Sequence, residues 1–394
     1  MRIPQETVMT QDAPHFTGGL FNMKVLVTGG AGFIGSHTVD LLLKRGHTVR
    51  VLDALEPPVH RDGRVPDYVP REVEFVRGDV RDRAAWERAL AGMDAVYHFA
   101  AYQDYLPDFS KFFHVNAVST ALLYEIVVEK RLPIQKIVVA SSQSVYGEGK
   151  YRCATHGIQY PGQRPAEQLA RRMWEVGCPA CGTPMQPEMT DEAVVMPHNS
   201  YAMSKYSEEM IALSLGRRYG IPSVGMRYSI TQGPRQSFRN AYSGVLRIFA
   251  MQLLAGERPT VYEDGLQLRD YVSVGDVAQA NVLALEDGRA DYQAFNVGAG
   301  RAWTVLEFAS IMAEAAGRPD LESLVLAEYR FGDTRHILSD ISKLRALGWE
   351  PLGSPEQSAR AYLSWAQAQP DFRNYTAEAR EHMQKVGAVR SQQV

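Results

Sequence analysis

Residues 24–35 read Lys24-Val25-Leu26-Val27-Thr28-Gly29-Gly30-Ala31-Gly32-Phe33-Ile34-Gly35, a short apolar run ending in glycines, and residues 36–44 follow with apolar spacing suited to a helix. Strand, turn and helix in that order predict a dinucleotide-binding crossover. Early glycines permit a tight turn and close backbone approach to a pyrophosphate, while the last lets helix and strand pack closely. The helix start then offers unpaired N–H groups and a positive dipole to an anion. Gly30, Gly32 and Gly35 fit G-x-G-x-x-G, whereas Gly29, Gly32 and Gly35 fit G-x-x-G-x-x-G. Glycine-rich turns are common in α/β proteins, so context decides. A second strand, at 48–52, ends in Asp53, close to where a carboxylate holds the adenosine ribose hydroxyls. With Ala54 and Leu55 following, a 2′-phosphate would be repelled rather than clamped, which favours NAD over NADP.

From Lys24 to about Tyr228, apolar runs of strand length alternate with helical patterns. The strands are expected at 25–28, 49–53, 73–77, 95–99, 137–141 and 223–228. The fold class predicted is α/β: a Rossmann-type doubly wound parallel sheet with ligands along the carboxyl ends of its strands. Between Gly147 and His198 the periodicity disappears, and prolines, glycines, charges and all three cysteines accumulate, which marks 148–197 as an insertion. Beyond Gly233 the pattern is less regular, with helices expected at 243–254 and 277–285 and a strand at 295–297. Thr304-Val305-Leu306-Glu307 and Ser354-Pro355-Glu356-Gln357 have capping-box form, which places helix starts in a smaller carboxyl-terminal substrate-binding lobe. The expected organisation is a disordered leader at 1–22 and a dinucleotide-binding domain at 23–230. A lobe at 231–372 follows, with some segments returning to the Rossmann sheet, and a polar tail at 373–394.

A chain of 394 residues with 45% hydrophobic and 22% charged residues can bury a large core. Its 42 basic and 45 acidic residues give a net charge of -3, no electrostatic footprint for nucleic acid or an anionic membrane. No apolar run approaches bilayer-spanning length, and residues 1–22 do not resemble a secretory signal. Three cysteines are too few for a disulfide framework at this size, so a reducing cytoplasm is the expected compartment.

Two spacings carry chemistry. Tyr201-Ala202-Met203-Ser204-Lys205 puts a phenol and an ammonium four residues apart in a segment, 201–219, with helical periodicity, so both project from one face. A phenol ionises near pH ~10 and is a poor base at neutrality, but an adjacent ammonium favours the phenolate. The bland alternative is an exposed lysine beside a half-buried tyrosine. Upstream, Val138-Val139-Ala140-Ser141-Ser142 ends a strand in hydroxyls, and Ser142 is the candidate to bond a substrate oxygen and share its proton with the tyrosine. Ser141 and Ser144 equally suit a turn that satisfies its own backbone. In the insertion, Cys153 and His156 form C-x-x-H, and Cys178 and Cys181 form C-x-x-C. Three thiolates and one imidazole are a structural zinc set, and a metal would supply folding energy that this segment's weak hydrophobic pattern lacks. The alternative is unligated buried thiols beside an unrelated histidine.

The glycine turn, Gly78-Asp79-Val80, His98-Phe99-Ala100-Ala101, Ser141-Ser142-Gln143-Ser144-Val145-Tyr146-Gly147, Tyr201-x-x-x-Lys205 and Arg269-Asp270-Tyr271-Val272 occur in order. The chain resembles the extended short-chain dehydrogenase/reductase family of nucleotide-sugar epimerases and dehydratases over roughly residues 23–350. Within it, the whole sequence is most similar to the group of dTDP-L-rhamnose 4-epimerases. The resemblance implies NAD held by Gly29, Gly32, Phe33, Ile34, Gly35, Asp53, Tyr201 and Lys205. By the same resemblance Asp79 and Val80 flank the adenine, Phe99, Ala100 and Ala101 pass beneath the cofactor, and Asn116 supports its neighbourhood. Arg269 and the Arg330–Asp333 run correspond to elements that hold the diphosphate and ribose of a sugar nucleotide, with Ser142 and Gln143 at the sugar. Arg335 reads more readily as a surface arginine.

Family dehydratases generally carry an acidic pair where this chain has Gln143 and Ser144, and related decarboxylases show a glutamate in that stretch, also absent here. Neither Gln143 nor Ser144 exchanges a proton near neutrality, which disfavours 4,6-dehydration. The resemblance therefore implies reversible oxidation at sugar C4 by an NAD-dependent 4-epimerase acting on a dTDP-6-deoxyhexose or UDP-hexose. Tyr201 is the base, Lys205 its activator and Ser142 the group at the reacting oxygen. A nucleotide-sugar dehydrogenase or reductase is the second enzyme reading, and a catalytically silent NAD-binding regulator is the reading from another class. After Arg227-Tyr228 relatives usually have Phe-Asn, whereas this chain has Ser229-Ile230-Thr231-Gln232. The family also implies a homodimer, paired through helices near 116–129 and 201–218.

Overall fold

The computed structural model describes residues 22–390 apart from 105, 240–243, 327, 371, 376–380, 382–384 and 386–388. The leader and most of the tail thus lie outside the described residues. A 7-stranded sheet is built from β1 (Lys24–Thr28), β2 (Thr48–Asp53), β3 (Glu74–Arg77), β4 (Ala95–His98), β5 (Lys136–Ser142), β6 (Ser223–Tyr228) and β7 (Gln293–Val297). Its order is β3-β2-β1-β4-β5-β6-β7, and each pairing is parallel. The chain winds one way from β1 and the other way from β4, which opens a crevice at their carboxyl ends. β5 and β6 are buried along their whole length, as expected of strands covered on both faces.

Alternation of side chains across each strand feeds a core on either face. Val25, Val27, Val49, Val51 and Val138 point to one, which they share with Val277, Ala280 and Ala284 of helix α6. Leu26, Leu52, Val96, Ile137 and Val139 point to the other, shared with Trp86, Leu123, Ile126 and Ala212 of helices α2, α3 and α4. The helices are α1 (Phe33–Lys44), α2 (Arg83–Leu90), α3 (Ser119–Glu129), α4 (Ser200–Tyr219), α5 (Gly244–Leu254), α6 (Val274–Glu286), α7 (Val305–Ala315) and α8 (Pro355–Gln367). Both capping boxes form, at Thr304 and Ser354, with Pro355 in the first turn of α8. α5, α7 and α8 enclose the lobe core through Leu246, Phe249, Phe308, Met312, Tyr362 and Leu363.

Three expectations need correction. The stretch Phe109–Glu129 is 21 residues long with mean hydropathy 1.2, long and apolar enough to cross a bilayer. Half of it is buried, and it encloses Asn116, Ser119 and Thr120, each hydrogen-bonded within the protein. Its apolar character therefore serves packing against the sheet and α4. The strand expected at 95–99 ends at His98, and the one expected at 137–141 runs on to Ser142. Ser142 is thus the last residue of its strand. The tail is not wholly detached: Val389–Arg390 pairs antiparallel with Tyr329–Arg330.

The insertion carries a small antiparallel sheet, Tyr151–Cys153 pairing with Gly157–Gln159 and Gln186–Pro187. Its apolar centre is Tyr151, Cys153, Val176, Cys178 and Met185, too little for independent stability.

Candidate active site

Two glycines of the first turn cannot be replaced without displacing backbone. Gly29 has φ +67°, and a Cβ there would lie 2.7 Å from the Ala100 nitrogen. A Cβ at Gly35 would lie 2.2 Å from the Gly29 carbonyl oxygen. Gly30 instead packs back on Val51. The spacing the backbone uses is therefore that of Gly29, Gly32 and Gly35. α1 begins at Phe33 with Gly32 as N-cap and no side-chain cap, which leaves its first N–H groups for an anion. Asp53 ends β2, accepting from the backbone N–H of Ala31 at 3.1 Å and of Leu55 at 2.9 Å.

Behind this cradle is a relay that the sequence did not disclose. Thr28 Oγ1 accepts from the N–H groups of Phe99 and Ala100, each at 3.1 Å, and bonds His98 Nδ1 at 2.8 Å. His98 Nε2 bonds Ser119 Oγ at 2.8 Å. Burial, with a smaller contribution from Lys205, pulls the His98 pKa down to about 3, so the ring is neutral and one nitrogen donates while the other accepts. Its work is to join β1, β4 and α3 beneath Phe99, Ala100 and Ala101. Asn116 stands in a π-helical turn, Phe113–Val118, a local bulge frequent at functional sites. Its amide bonds the Tyr102 backbone at 2.8 and 3.1 Å and Ser204 Oγ at 2.9 Å, tying this turn to α4. At the end of β3, Asp79 pairs with Arg81, and the Val80 carbonyl accepts from Trp86 Nε1 at 2.7 Å.

The catalytic candidates converge. Tyr201 in the first turn of α4 is hydrogen-bonded through its phenol to the Ser142 side chain. Burial pushes that phenol up to about 12, the Ser142 bond opposes the shift, and the Glu208 carboxylate adds to it. Ser142 Oγ also accepts from the Ser144 N–H at 3.2 Å and bonds Ser144 Oγ at 3.0 Å. Lys205, 1% exposed, is ion-paired with Glu208, 0% exposed. Burial raises the Glu208 carboxyl to about 7 against the pull of Lys205, and its Oε1 has no hydrogen-bond partner among the described residues. Sequence reasoning missed Glu208, whose signal was its place three residues after the lysine on the same helical face. Ser141 is structural: its hydroxyl donates to Glu209 at 2.6 Å. Glu209 in turn takes two bonds from Arg227, at 2.6 and 2.9 Å.

The lobe reaches this centre through one loop. Thr334 Oγ1 donates to the Gly147 carbonyl at 3.1 Å, and the Arg335 N–H donates to Glu148 at 2.8 Å, joining the loop to the segment that follows Ser142. Arg269 donates to the carbonyls of Arg335 and Thr334 at 2.9 and 2.8 Å and lies 3.7 Å from Asp333. Arg330 sits over the Tyr262 ring at 5.1 Å. Arg330 and Asp333 therefore share one loop, at 330–336, on which Arg269 is seated. Arg335 corrects its sequence reading outright, being 0% exposed. Gln143 lacks a partner at Oε1 among the described residues, and Gln232 at both amide atoms. Orphaned buried polar atoms of this kind are what a ligand satisfies.

Comparison with known proteins decides the family. The model described as the NAD dependent epimerase/dehydratase family matches residues 25–298. The chain belongs to that family. A dTDP-L-rhamnose 4-epimerase of Burkholderia thailandensis is 33% identical over 359 residues, covering 89% of this chain and 97% of that protein. A UDP-glucose 4-epimerase of Thermotoga maritima, solved with UDP-glucose, has a TM-score of 0.71 and 30% identity over 88% of this chain and 99% of its own. The Thermus thermophilus UDP-glucose 4-epimerase, solved with NAD, has a TM-score of 0.69 and 32% identity over 88% and 99%.

This family member carries a second constellation, in its insertion. Cys153 Sγ lies 3.6 Å from His156 Nδ1 and 3.8 Å from Cys181 Sγ, and Cys178 Sγ lies 3.6 Å from the same nitrogen. All four ligand atoms fall within 4.8 Å of one another. A tetrahedron with Zn–S of about 2.3 Å and Zn–N of about 2.05 Å has edges of about 3.8 Å between sulfurs and about 3.6 Å from sulfur to nitrogen. The Cys153–His156, Cys178–His156 and Cys153–Cys181 distances match those edges. Gly157 and Gly182 take positive φ and turn the chain just beyond each ligand pair.

Proposed function

We propose that the protein is an NAD-dependent nucleotide-sugar 4-epimerase working through a transient 4-keto sugar. The observation that carries this reading is the Ser142–Tyr201 hydrogen bond, with Lys205 one helical turn on, at the strand ends that also hold the glycine turn. Phe33 and Ile34 at the start of α1, beside Gly29, Gly32 and Gly35, hold the pyrophosphate of NAD, and Asp53 the adenosine ribose. Asp79 and Val80 flank the adenine, Phe99, Ala100 and Ala101 underlie the ring system, and Asn116 braces that floor. Bound NAD supplies the electron-pair acceptor that takes the carbinol hydrogen and returns it.

Tyr201 Oη removes the C4 hydroxyl proton and later restores it. Ser142 Oγ donates to the oxygen as it becomes a carbonyl, and Lys205 favours the phenolate. Gln143 and Ser144 bring no second acid for elimination. Arg269, Arg330 and Asp333 hold the diphosphate and ribose, guanidinium forks matching phosphate geometry. The test is incubation with dTDP-, UDP- and GDP-sugars, reading C4 configuration by NMR and NADH by absorbance. Inversion without net NADH is expected; accumulating NADH means a dehydrogenase.

The pair Lys205–Glu208 sets the pH response. A carboxylate beside the lysine offsets its charge and raises the phenol, so phenolate, and with it turnover, increases as pH rises through neutrality. Glu208→Gln removes that negative charge, lowers the phenol pKa and moves the acid limb of kcat against pH to lower pH. An unmoved limb, or one moved upward, contradicts the assignment.

The Cys153, His156, Cys178 and Cys181 set binds a structural zinc, its thiolates suited to a reducing cytoplasm. Freshly purified protein, made without chelators, is expected to carry about one equivalent; less than about half defeats the site. The protein pairs as a homodimer through α3 and α4 and the turn before α3, where Val118, Met203 and Met210 are 51%, 42% and 45% exposed. Light scattering should give twice the chain mass and Met210→Asp should lower it. A monomeric mass for the wild type ends that reading.

A further inference from the structure

We propose that the metal-held insertion is a positioning element for the nucleotide-sugar site, fixing the 330–336 loop so that zinc occupancy sets affinity for a nucleoside diphosphate but not for NAD. This rests on the reading of that loop as the diphosphate and ribose holder given above. The insertion does not merely lie near the loop. Arg164, 3% exposed, forks onto Glu263 at 2.9 and 3.1 Å and donates to the Asp333 carbonyl at 2.9 Å. From the other side, Glu175 takes Arg335 at 2.6 Å and His336 at 3.1 Å. Arg335 completes the lattice on Glu263 at 3.0 Å and Asp264 at 2.7 Å. Residues separated by 71 to 169 positions in the chain thus meet in one ionic cluster around the buried Arg164, Glu263 and Arg335.

Metal and cluster are joined covalently over a few residues. Glu175 precedes the ligand Cys178 by three positions. Between them, the Val176 carbonyl accepts from Met185 at 3.0 Å and the Cys178 N–H donates to Thr183 at 2.9 Å, closing the turn that presents Cys178 and Cys181. Trp174, next to Glu175, lies against Tyr329 at 6.2 Å between ring centres, immediately before Arg330. Arg164 is held on the same side by the Trp174 carbonyl at 2.9 Å. Without the metal, the insertion keeps its short strand pairings and small apolar centre, but loses the tie between its two cysteine turns that braces these residues. The geometry of Arg330 and Asp333 would then loosen, while the glycine turn, Asp53 and the His98 relay contain no residue of the insertion and would keep theirs.

The test measures binding rather than turnover. Full-length protein with zinc, the same protein after chelation, and a Glu175→Gln variant are titrated with dTDP and with UDP by calorimetry, and separately with NAD. Circular dichroism confirms folding in each case. Chelation should weaken binding of the preferred diphosphate by at least about 5-fold, the lower end of typical coupling between sites, with NAD affinity changed by less than about twofold. Glu175→Gln should keep its zinc and weaken the diphosphate likewise, and chelating the variant should add little, because both act through one element. Equal diphosphate affinity with and without zinc overturns the proposal, as does a parallel loss of NAD affinity, which would signal general unfolding. If zinc-loaded protein binds neither diphosphate, the nucleotide-sugar reading itself fails. Should the variant not fold, the chelated wild type decides alone.

Discussion

Tyr201→Phe is expected still to bind NAD and to lose at least about 10²-fold in kcat, the scale of a positioned acid–base group. The substitution deletes one oxygen from a half-buried ring, so packing is conserved and the loss reports chemistry. Ser142 keeps its bonds to Ser144, and Lys205 keeps Glu208, so the rest of the centre stands. KM for the sugar should move little, because the phenol acts on the proton in flight more than on the bound ground state. Full turnover by Tyr201→Phe would show that another group takes the C4 proton. A large rise in KM at constant kcat would make Tyr201 a binding residue.

The largest expected loss of stability follows Arg335→Leu. Arg335 is wholly buried and bonded to Glu175, Glu263 and Asp264. Removing the guanidinium takes from the buried Glu263 carboxylate one of its two arginine partners, Arg164 being the other, and deprives the partly exposed Glu175 and Asp264 of theirs. The expected cost is about 3 kcal/mol, the lower end for breaking a buried pair by deleting one partner. Denaturant titration should show the midpoint falling with the slope unchanged. Adding Glu175→Gln and Asp264→Asn to Arg335→Leu should recover part of the loss, since the penalty lies in unpaired charge. A loss below about 1 kcal/mol would mean that the cluster relaxes into solvent. Glu175 also fixes a pH dependence. Chiefly through the His336 bond, and with Arg335, its carboxyl is held down at about 2, below its ordinary value of 4.5. The stability it contributes is present above pH ~4.5 and lost as pH falls towards ~2.

The central sheet was legible because its code is local. Continuous apolar strands, a glycine turn and a carboxylate at the next strand end lie within thirty residues and depend on backbone geometry alone. Tyr201 and Lys205 were legible because helical spacing fixes their relative position. What the sequence concealed was long-range ionic pairing. Arg335 read as a surface arginine because nothing nearby in the chain neutralises it, and its partners Glu175 and Glu263 come from different lobes. Glu208 was passed over because one glutamate among polar helix residues looks solvated until the fold buries it. The Phe109–Glu129 stretch escaped notice as a hydrophobic unit because Asn116, Ser119 and Thr120 interrupt it. Each of those three is satisfied only once neighbouring elements are in place. The cysteine pairs were visible as C-x-x-H and C-x-x-C from spacing, but only the fold brings Cys153, His156, Cys178 and Cys181 within 4.8 Å of one another.

Glu209, bolted to Ser141 on β5 and to Arg227 on β6, has a consequence for how this scaffold can diversify. The helix bearing the phenol and the ammonium is anchored to the sheet from its own third turn, independently of the loops above it. Those loops can change in sequence while the proton-transfer unit beneath them keeps its alignment. New hexoses are thus acquired by rewriting the rim of the vessel rather than its floor.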